Sequence, residues 1–411
     1  MRKALAHSSL RALWLGQAVS QFGNVFLSIA AFWILQLRSP YLLVAAGVVI
    51  ALPQLLAFLG GVLVDHFGAW RLMVLTDVVR AAVVGLVLLG TLTESALTPY
   101  LLLAALALTT LGGALFGPAE STLLPEMVSP DQLVGANGLM QGTYQTVNMA
   151  GAAIGGAALA VIGLGLILGF DAVTFVASAL SLLFVTTSSR ARTAPADTPA
   201  ISIRALKEGL AAARQMRWLI QTVPAIALTN LLFFGAFITL PYWVHHLLHG
   251  TVVSYGVFDA AFPGGAIAGY LLAASLSRRP AWLVVSTTAA AQGVLLVAFA
   301  LWPSFWPELV LLALSGVLSG ILNATAFAVL QRLIPEAVRG RVMGMMFTLF
   351  TIATPLGPLL AGGFFALHLS LVFLWLAAGA SMILLALVWG LSPDVRLAMA
   401  DGLAGTSAPS A

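Results

Sequence analysis

The sequence predicts an all-α integral membrane protein of twelve transmembrane helices, arranged as two pseudo-symmetric six-helix bundles. Three observations carry this. Residues are 61% hydrophobic and 8% charged, with a mean hydropathy of +1.04. Soluble domains carry about 25% charged residues, so this chain cannot cover a water-facing surface. Twelve apolar runs fall at about 12–37, 41–64, 72–92, 98–118, 137–162, 166–187, 218–244, 252–276, 281–302, 307–330, 342–366 and 370–391. Each matches the roughly 20 residues a spanning helix needs and far exceeds the roughly ten-residue alternating strands of a membrane barrel. Finally, with a cytoplasmic N-terminus, sixteen of the eighteen Lys and Arg residues lie on or near the inner face, as positive-inside asymmetry requires. Only Arg38, outside, and Arg80, within the third run, depart from it.

Taken in order, Met1-Arg2-Lys3 leads into the first run with no small-residue cleavage site, so that run is expected to stay as an anchor. Residues 1–187 form the first bundle. Residues 188–217 are a cytoplasmic linker, polar at first, then carrying Ile203, Leu206, Leu210 and Ala213 at the spacing of an amphipathic surface helix. Residues 218–392 form the second bundle, and 393–411, rich in Ala, Gly and Ser, a disordered cytoplasmic tail. The bundles are related: Leu124-Pro125-Glu126 after the fourth run recurs 210 residues later as Ile334-Pro335-Glu336 after the tenth. Chance similarity in an Ala/Leu/Gly-rich chain is the alternative. Paired halves around a central cleft are the logic of an alternating-access transporter.

The net charge of +4 is spread over many loops and makes no nucleic-acid patch. With no cysteine, disulfides and thiolate metal sites are excluded. No Walker loop, nucleophile motif or cofactor fingerprint is present, so neither an enzyme nor a bound cofactor is expected.

Between the second and third runs lies Gly61-x-Leu63-x-Asp65-x-x-Gly68-x-x-Arg71. Its glycines permit a tight turn, and Asp65 can meet the positive end of a helix. Other motifs are Asp77-Val78-Val79-Arg80, Phe116-Gly117-Pro118-Ala119, Asp171-Ala172-Val173-Thr174-Phe175 and Arg339-Gly340-Arg341-Val342. Together they resemble the major facilitator superfamily, in particular the branch of macrolide-efflux and enterobactin-exporter-like drug:proton antiporters, over nearly the whole chain. The resemblance implies that the loop gates the inner side, with Gly61, Asp65, Gly68 and Arg71 latching it to the eleventh helix. A solvated turn that only fixes topology is the alternative. His66 and Ala69-Trp70 replace bases usual in the family, which should weaken the latch. In the fifth run Gly142, Gly151, Gly155 and Gly156 partly resemble the antiporter signature, and tight contact with a helix of the other half is expected there. Ordinary small-residue packing is the competing explanation.

Polar side chains within spans face cavities or other helices. Gln17, Gln21, Asn24 and Ser28 make one stripe on the first span; Gln141, Gln145 and Asn148 make another on the fifth. The resemblance places the first, fourth, seventh and tenth helices around the substrate cavity. Asn230, Phe233 and Phe237 of the seventh and Asn323 and Phe327 of the tenth then join the lining. Interhelical hydrogen bonding is the alternative role for each amide. Of the buried charges, Asp77 and Arg80 are three residues apart and read as a structural pair, and Asp171 lies towards the outer end of the sixth span. Asp259, an isolated acid in the eighth, is the favoured proton carrier. Glu120 reads as lying at the water boundary. His245, His246 and His249 lie in an outer loop, where His245 and His249 have ligand spacing only if that loop is helical; no metal site is expected.

These features point to a proton-coupled exporter of a hydrophobic or amphipathic small molecule, with a siderophore or lipid transporter, or an importer, as alternatives of the same fold. A membrane enzyme and a receptor without flux are the contrasting classes. The resemblance implies a multi-pass monomer in the bacterial cytoplasmic membrane, both termini inside, with a small-molecule substrate, protons and the bilayer as its partners.

Overall fold

In the computed structural model, the described residues are 7–55, 63–64, 66–93, 96–129, 132–186, 216–334, 342, 345–346 and 354–400. They form helices α1 (Ser8–Arg38), α2 (Pro40–Leu55), α3 (Ala69–Thr91), α4 (Thr98–Met127), α5 (Leu133–Leu183), α6 (Arg217–Phe237), α7 (Leu240–His246), α8 (Val252–Ala273), α9 (Ala281–Leu301), α10 (Phe305–Leu333), α11 (Leu356–Ala366), α12 (Leu371–Leu391) and α13 (Pro393–Ala398). Nine helical stretches among them are long and apolar enough to cross a membrane, and α2 and α11 are shorter apolar helices. The expected linker helix, residues 401–411, Gly61 and Asp65 lie outside the described residues.

Helix breaks follow local chemistry. A straight 51-residue helix such as α5 would run roughly 75 Å, more than twice a hydrocarbon core of about 30 Å. It is two helical pieces joined at Gly163, whose φ of 74° and ψ of 173° are open to glycine and costly for other residues. Gly68, at φ 80°, plays the same part before α3.

The chain divides into two compact units, residues 1–200 with 244–260, and residues 201–243 with 261–411. In the first, α1 packs along α5, and glycines set the spacing. A Cβ at Gly16 would strike the Ser181 hydroxyl, and one at Gly23 would strike the Asp171 carboxylate and the Thr174 hydroxyl. Gly151 and Gly155 rest on Val25, Phe26 and Ile29 of α1. Of the antiporter-like glycines, only Gly156 packs on a helix from the second half of the chain, against the backbone of Val252 and Gly256 in α8, while Gly142 faces open space. Trp70, expected to weaken the loop, donates its indole N–H to the Leu182 carbonyl at 2.8 Å and so ties the start of α3 to the end of α5. Leu10, Leu13, Met73, Phe116, Leu123 and Leu182 close one core around it.

In the second unit, α8 and α10 meet backbone to backbone. A Cβ at Gly265 would strike the Ala313 carbonyl, at Gly269 that of Val317, at Gly316 that of Phe262 and at Gly320 that of Ala266. Gly293 of α9 meets Gly379 of α12, and Gly235 of α6 meets Gly357 of α11. Lipid gives no hydrophobic drive between helices, so such close approach supplies the van der Waals contact that holds them. Beside this, Trp243, Phe299 and Trp375 form an aromatic box with ring centroids 4.5–6.0 Å apart. Glu308, fully buried in the first turn of α10, accepts the Trp243 indole N–H at 2.9 Å.

The tail from Pro393 was expected to be disordered, but its first residues are ordered. Ser392 caps α13, accepting from the Val395 N–H at 3.4 Å, and donates to the Gln221 side-chain Oε1 at 2.5 Å. The Gln221 amide in turn donates to Asp394 at 3.0 Å. Val395 is fully buried, and the Arg396 guanidinium lies 4.6 Å from the Trp282 ring centre. One buried apolar residue and a cap hold a helix that composition alone does not favour.

Gly269→Ala or Gly316→Ala should destabilise the protein by about 1–3 kcal/mol through overpacking, seen as a lower unfolding temperature in detergent. Gly85→Ala, where a Cβ meets nothing, should leave that temperature unchanged or raise it. Trp243→Phe should cost roughly 1–3 kcal/mol by orphaning a buried acceptor. Adding Glu308→Leu should recover much of that loss in the same thermal measurement.

Candidate functional site

The first unit carries a partly open cavity of approximately 340 Å³, within the roughly 300–1,000 Å³ usual for small-molecule sites. Three helices build it. Trp14, Gln17, Ala18 and Gln21 come from one face of α1; Glu120 from α4; Asn137, Met140, Gln141, Thr143, Tyr144 and Val147 from α5. The helical repeat brings Trp14, Gln17 and Gln21 into one line, and Asn137, Gln141 and Tyr144 into another. Of the expected cavity residues in this unit, Gln17, Gln21 and Gln141 line it. Asn24 and Gln145 are not among the lining residues.

Hydrogen bonds fix several of these side chains. Trp14 donates its indole N–H to the Thr143 hydroxyl at 2.7 Å, Gln21 its amide to Asn148 at 3.3 Å, and Asn137 its amide to the Leu133 carbonyl at 2.9 Å. Gln17 donates to the Ser178 hydroxyl at 3.2 Å. Ser178 in turn donates to Asp77 Oδ2 at 2.7 Å. A continuous path therefore leads from the cavity wall to a buried carboxylate.

That carboxylate belongs to a charge cluster among α3, α4 and α5. Asp77 and Asp171 are fully buried and Arg80 nearly so. Arg80 Nη1 lies 3.7 Å from Asp77 Oδ1, and its Nε–H donates to the Thr109 carbonyl at 2.9 Å. The guanidinium sits 5.1 Å from the Phe175 ring centre and 6.0 Å from that of Phe116. Gly112 and Gly113 leave it room, since a Cβ on either would come within 2.5 Å of it. Asp171 lies within electrostatic reach of Arg80, and both its carboxylate oxygens are buried without a hydrogen-bond partner among the described residues. The expected Asp77–Arg80 pair is present, and Asp171, from a different helix, lies within electrostatic reach of it.

Asp259 is only half-buried, one helical turn from Tyr255 in α8. Tyr255 stacks on Trp33 at 6.1 Å, and His245 meets the same indole edge-on at 5.3 Å. α7 ends at His246 and His249 has a φ of 52°, so the helical spacing that would pair His245 with His249 is absent. In the second unit, Phe233 and Phe237 stack at 5.6 Å, and Phe262 lies 5.2 and 5.8 Å from them. Asn230 is half-buried one turn before Phe234. Asn323 is exposed and donates its amide to the Ser319 carbonyl and hydroxyl of its own helix, and Phe327 is exposed. Of the loop residues, Gly68 makes the turn before α3 and Arg71 is exposed.

Sequence reasoning passed over Trp14, Tyr144 and Glu308, and left Glu120 at the water boundary. The three-residue step from Trp14 to Gln17 was the available signal for Trp14, and the lone acid opening the tenth span was the signal for Glu308.

Most of the chain matches known proteins. The transmembrane secretion effector family matches residues 3–407. The multidrug efflux pump Tap of Mycobacterium tuberculosis is 30% identical over 320 residues, covering 76% of this chain and 75% of that protein. Macrolide efflux protein A of Streptococcus pyogenes is 23% identical over 395 residues, 93% of this chain and 96% of that one. Among solved structures, a peptide transporter of the POT family superposes with a TM-score of 0.72 at 13% identity, covering 96% of both chains. A bacterial homologue of the lysosomal transporter Spinster gives 0.66 at 15% identity, covering 98% of both. An all-helical multi-pass fold and a family match across almost its full length place this chain in the transmembrane secretion effector family of major facilitator superfamily transporters.

Proposed function

We propose that this transporter is a proton-driven exporter of a hydrophobic or amphipathic small molecule, working by alternating access in a bacterial cytoplasmic membrane with both termini inside. The observation that carries this reading is the hydrogen-bonded path from Gln17, in the cavity wall, through Ser178 to Asp77, which pairs with Arg80 at 3.7 Å, with Asp171 within electrostatic reach of that guanidinium. Asp77 pairs with the guanidinium and Asp171 lies within its electrostatic reach, so full ionisation leaves a charge of −1 in a low-dielectric site, and one added proton makes the cluster neutral. A buried net charge is costly in a membrane, which makes this cluster a natural place to take up and release a proton. A solute that displaces the Gln17 amide breaks the Gln17–Ser178 bond and frees Ser178 to reorient. That changes how well Asp77 is solvated, and so how readily the cluster holds its proton.

This mechanism moves proton coupling away from Asp259, which is half-buried on α8, and onto the Asp77–Arg80–Asp171 group. Drug export is the cargo reading because the efflux pumps Tap and macrolide efflux protein A resemble the chain over most of its length. Siderophore and lipid transport remain alternatives of the same fold, and directional flux decides between export and import.

Reconstituted into vesicles with a proton gradient, the wild type should accumulate an amphipathic drug against its concentration gradient. Asp171→Asn should abolish this gradient-driven component while leaving downhill exchange measurable, because the cluster then loses its titratable proton. Asp259→Asn should keep full gradient-driven transport. The reverse pattern would return proton coupling to Asp259. Gln17→Ala should lower the number of protons moved per solute, read as a weaker dependence of flux on the pH gradient.

A further inference from the structure

Among the described residues, Glu120 is the one charged residue that lines the cavity. It is half-buried near the end of α4, and no described Lys, Arg or His shares the lining. Part of the donor capacity around it is engaged within the protein. Trp14 has given its indole N–H to Thr143, Gln17 and Gln21 have given amide N–H groups to Ser178 and Asn148, and Asn137 has given one to Leu133. What Trp14 offers a ligand is therefore its ring, and Tyr144, half exposed, adds a second. Ala18, Met140 and Val147 supply the apolar remainder. A carboxylate beside aromatic rings in an apolar pocket is the combination that holds an organic cation, through charge attraction and through the electron-rich ring faces. An anionic solute would meet Glu120 with no countercharge, which discriminates against it.

We propose that Glu120, with the rings of Trp14 and Tyr144, recognises the positively charged head of an amphipathic amine, so that the cargo is an organic cation. This rests on the reading of the cavity as the transport site. It narrows the substrate class from amphipathic molecules in general to tertiary amines protonated at neutral pH and to quaternary ammonium compounds, and it excludes anionic siderophores. The Glu120 carboxylate takes the charged head. The rings, with Met140 and Val147, take the apolar body.

The test uses two dyes that share one xanthene cation, tetramethylrhodamine methyl ester and the free acid tetramethylrhodamine, whose added carboxylate cancels the charge. Each is titrated by fluorescence anisotropy against the full chain in nanodiscs, with empty nanodiscs as the baseline. The ester should bind about tenfold more tightly than the acid, as one half-buried charge pair supplies. Glu120→Gln should remove that preference and Glu120→Asp should largely keep it, both with unchanged unfolding temperatures. A folded Glu120→Gln protein that still prefers the ester overturns the proposal, as does failure of the wild type to bind the ester. Gln141→Trp, which fills the cavity, separates the two claims. If it leaves ester binding intact, the cavity is not the binding site and the transport reading of it fails as well. If it abolishes binding while Glu120→Gln keeps the preference, only the charge assignment fails.

Discussion

A guanidinium in the hydrocarbon layer must be surrounded by partners drawn from its own protein, and Arg80 is the group around which the first unit is arranged. Leaving such a charge unpaired at the bilayer centre costs several kcal/mol even on lenient scales. The chain answers with Asp77 a helical turn away, the Thr109 carbonyl from the next helix and the rings of Phe116 and Phe175. Glycine occupies positions 112 and 113, where a side chain would displace the guanidinium. Each of these contacts also fixes a helix: α3 supplies the charge pair, α4 the carbonyl and the glycines, and α5 the Ser178 hydroxyl that holds Asp77. The same Ser178 receives the Gln17 amide, which links this packing to the cavity wall.

Around that polar centre, close packing is achieved with glycine instead of with large interlocking side chains. α1 lies against α5 through Gly16 and Gly23, the latter directly over Asp171. A side chain at Gly23 would push α1 away from the carboxylate. In the second unit, the four glycines of α8 and α10 bring two backbones together without an intervening charge. Among the described residues of that unit, the buried acid Glu308 is held by an indole N–H inside an aromatic box. The two units thus solve the membrane's demand for internal partners differently, one with a charge cluster connected to a cavity and the other with near-dry backbone contact.

Much of this was legible in the residues. Composition, run lengths and the placement of Arg and Lys pointed to the helical membrane class, because the bilayer enforces them on every segment. The stripe of Gln17 and Gln21 indicated the cavity, and the three-residue spacing of Asp77 and Arg80 indicated their pairing. What the sequence left open depends on contacts between helices far apart in the chain. That Asp171 joins Arg80 follows from the approach of α5 to α3, about ninety residues away in sequence, and no local pattern encodes it. Glu120 could be placed only once α1 and α5 were known to close around it. Trp70 looked like a defect in the loop motif and proved to be an anchor to Leu182. The ordered α13 depended on Val395 finding a pocket in its own unit.

The central claim is that the Asp77–Arg80–Asp171 cluster holds an exchangeable proton in contact with the cavity. Infrared difference spectroscopy of the reconstituted protein across pH tests it without any ligand, by following the carboxyl C=O stretch. The account predicts a titrating carboxyl band that Asp171→Asn alters and that Gln17→Ala displaces, because the Gln17–Ser178–Asp77 path links them. A band indifferent to both substitutions, or one removed by Asp259→Asn instead, would contradict it.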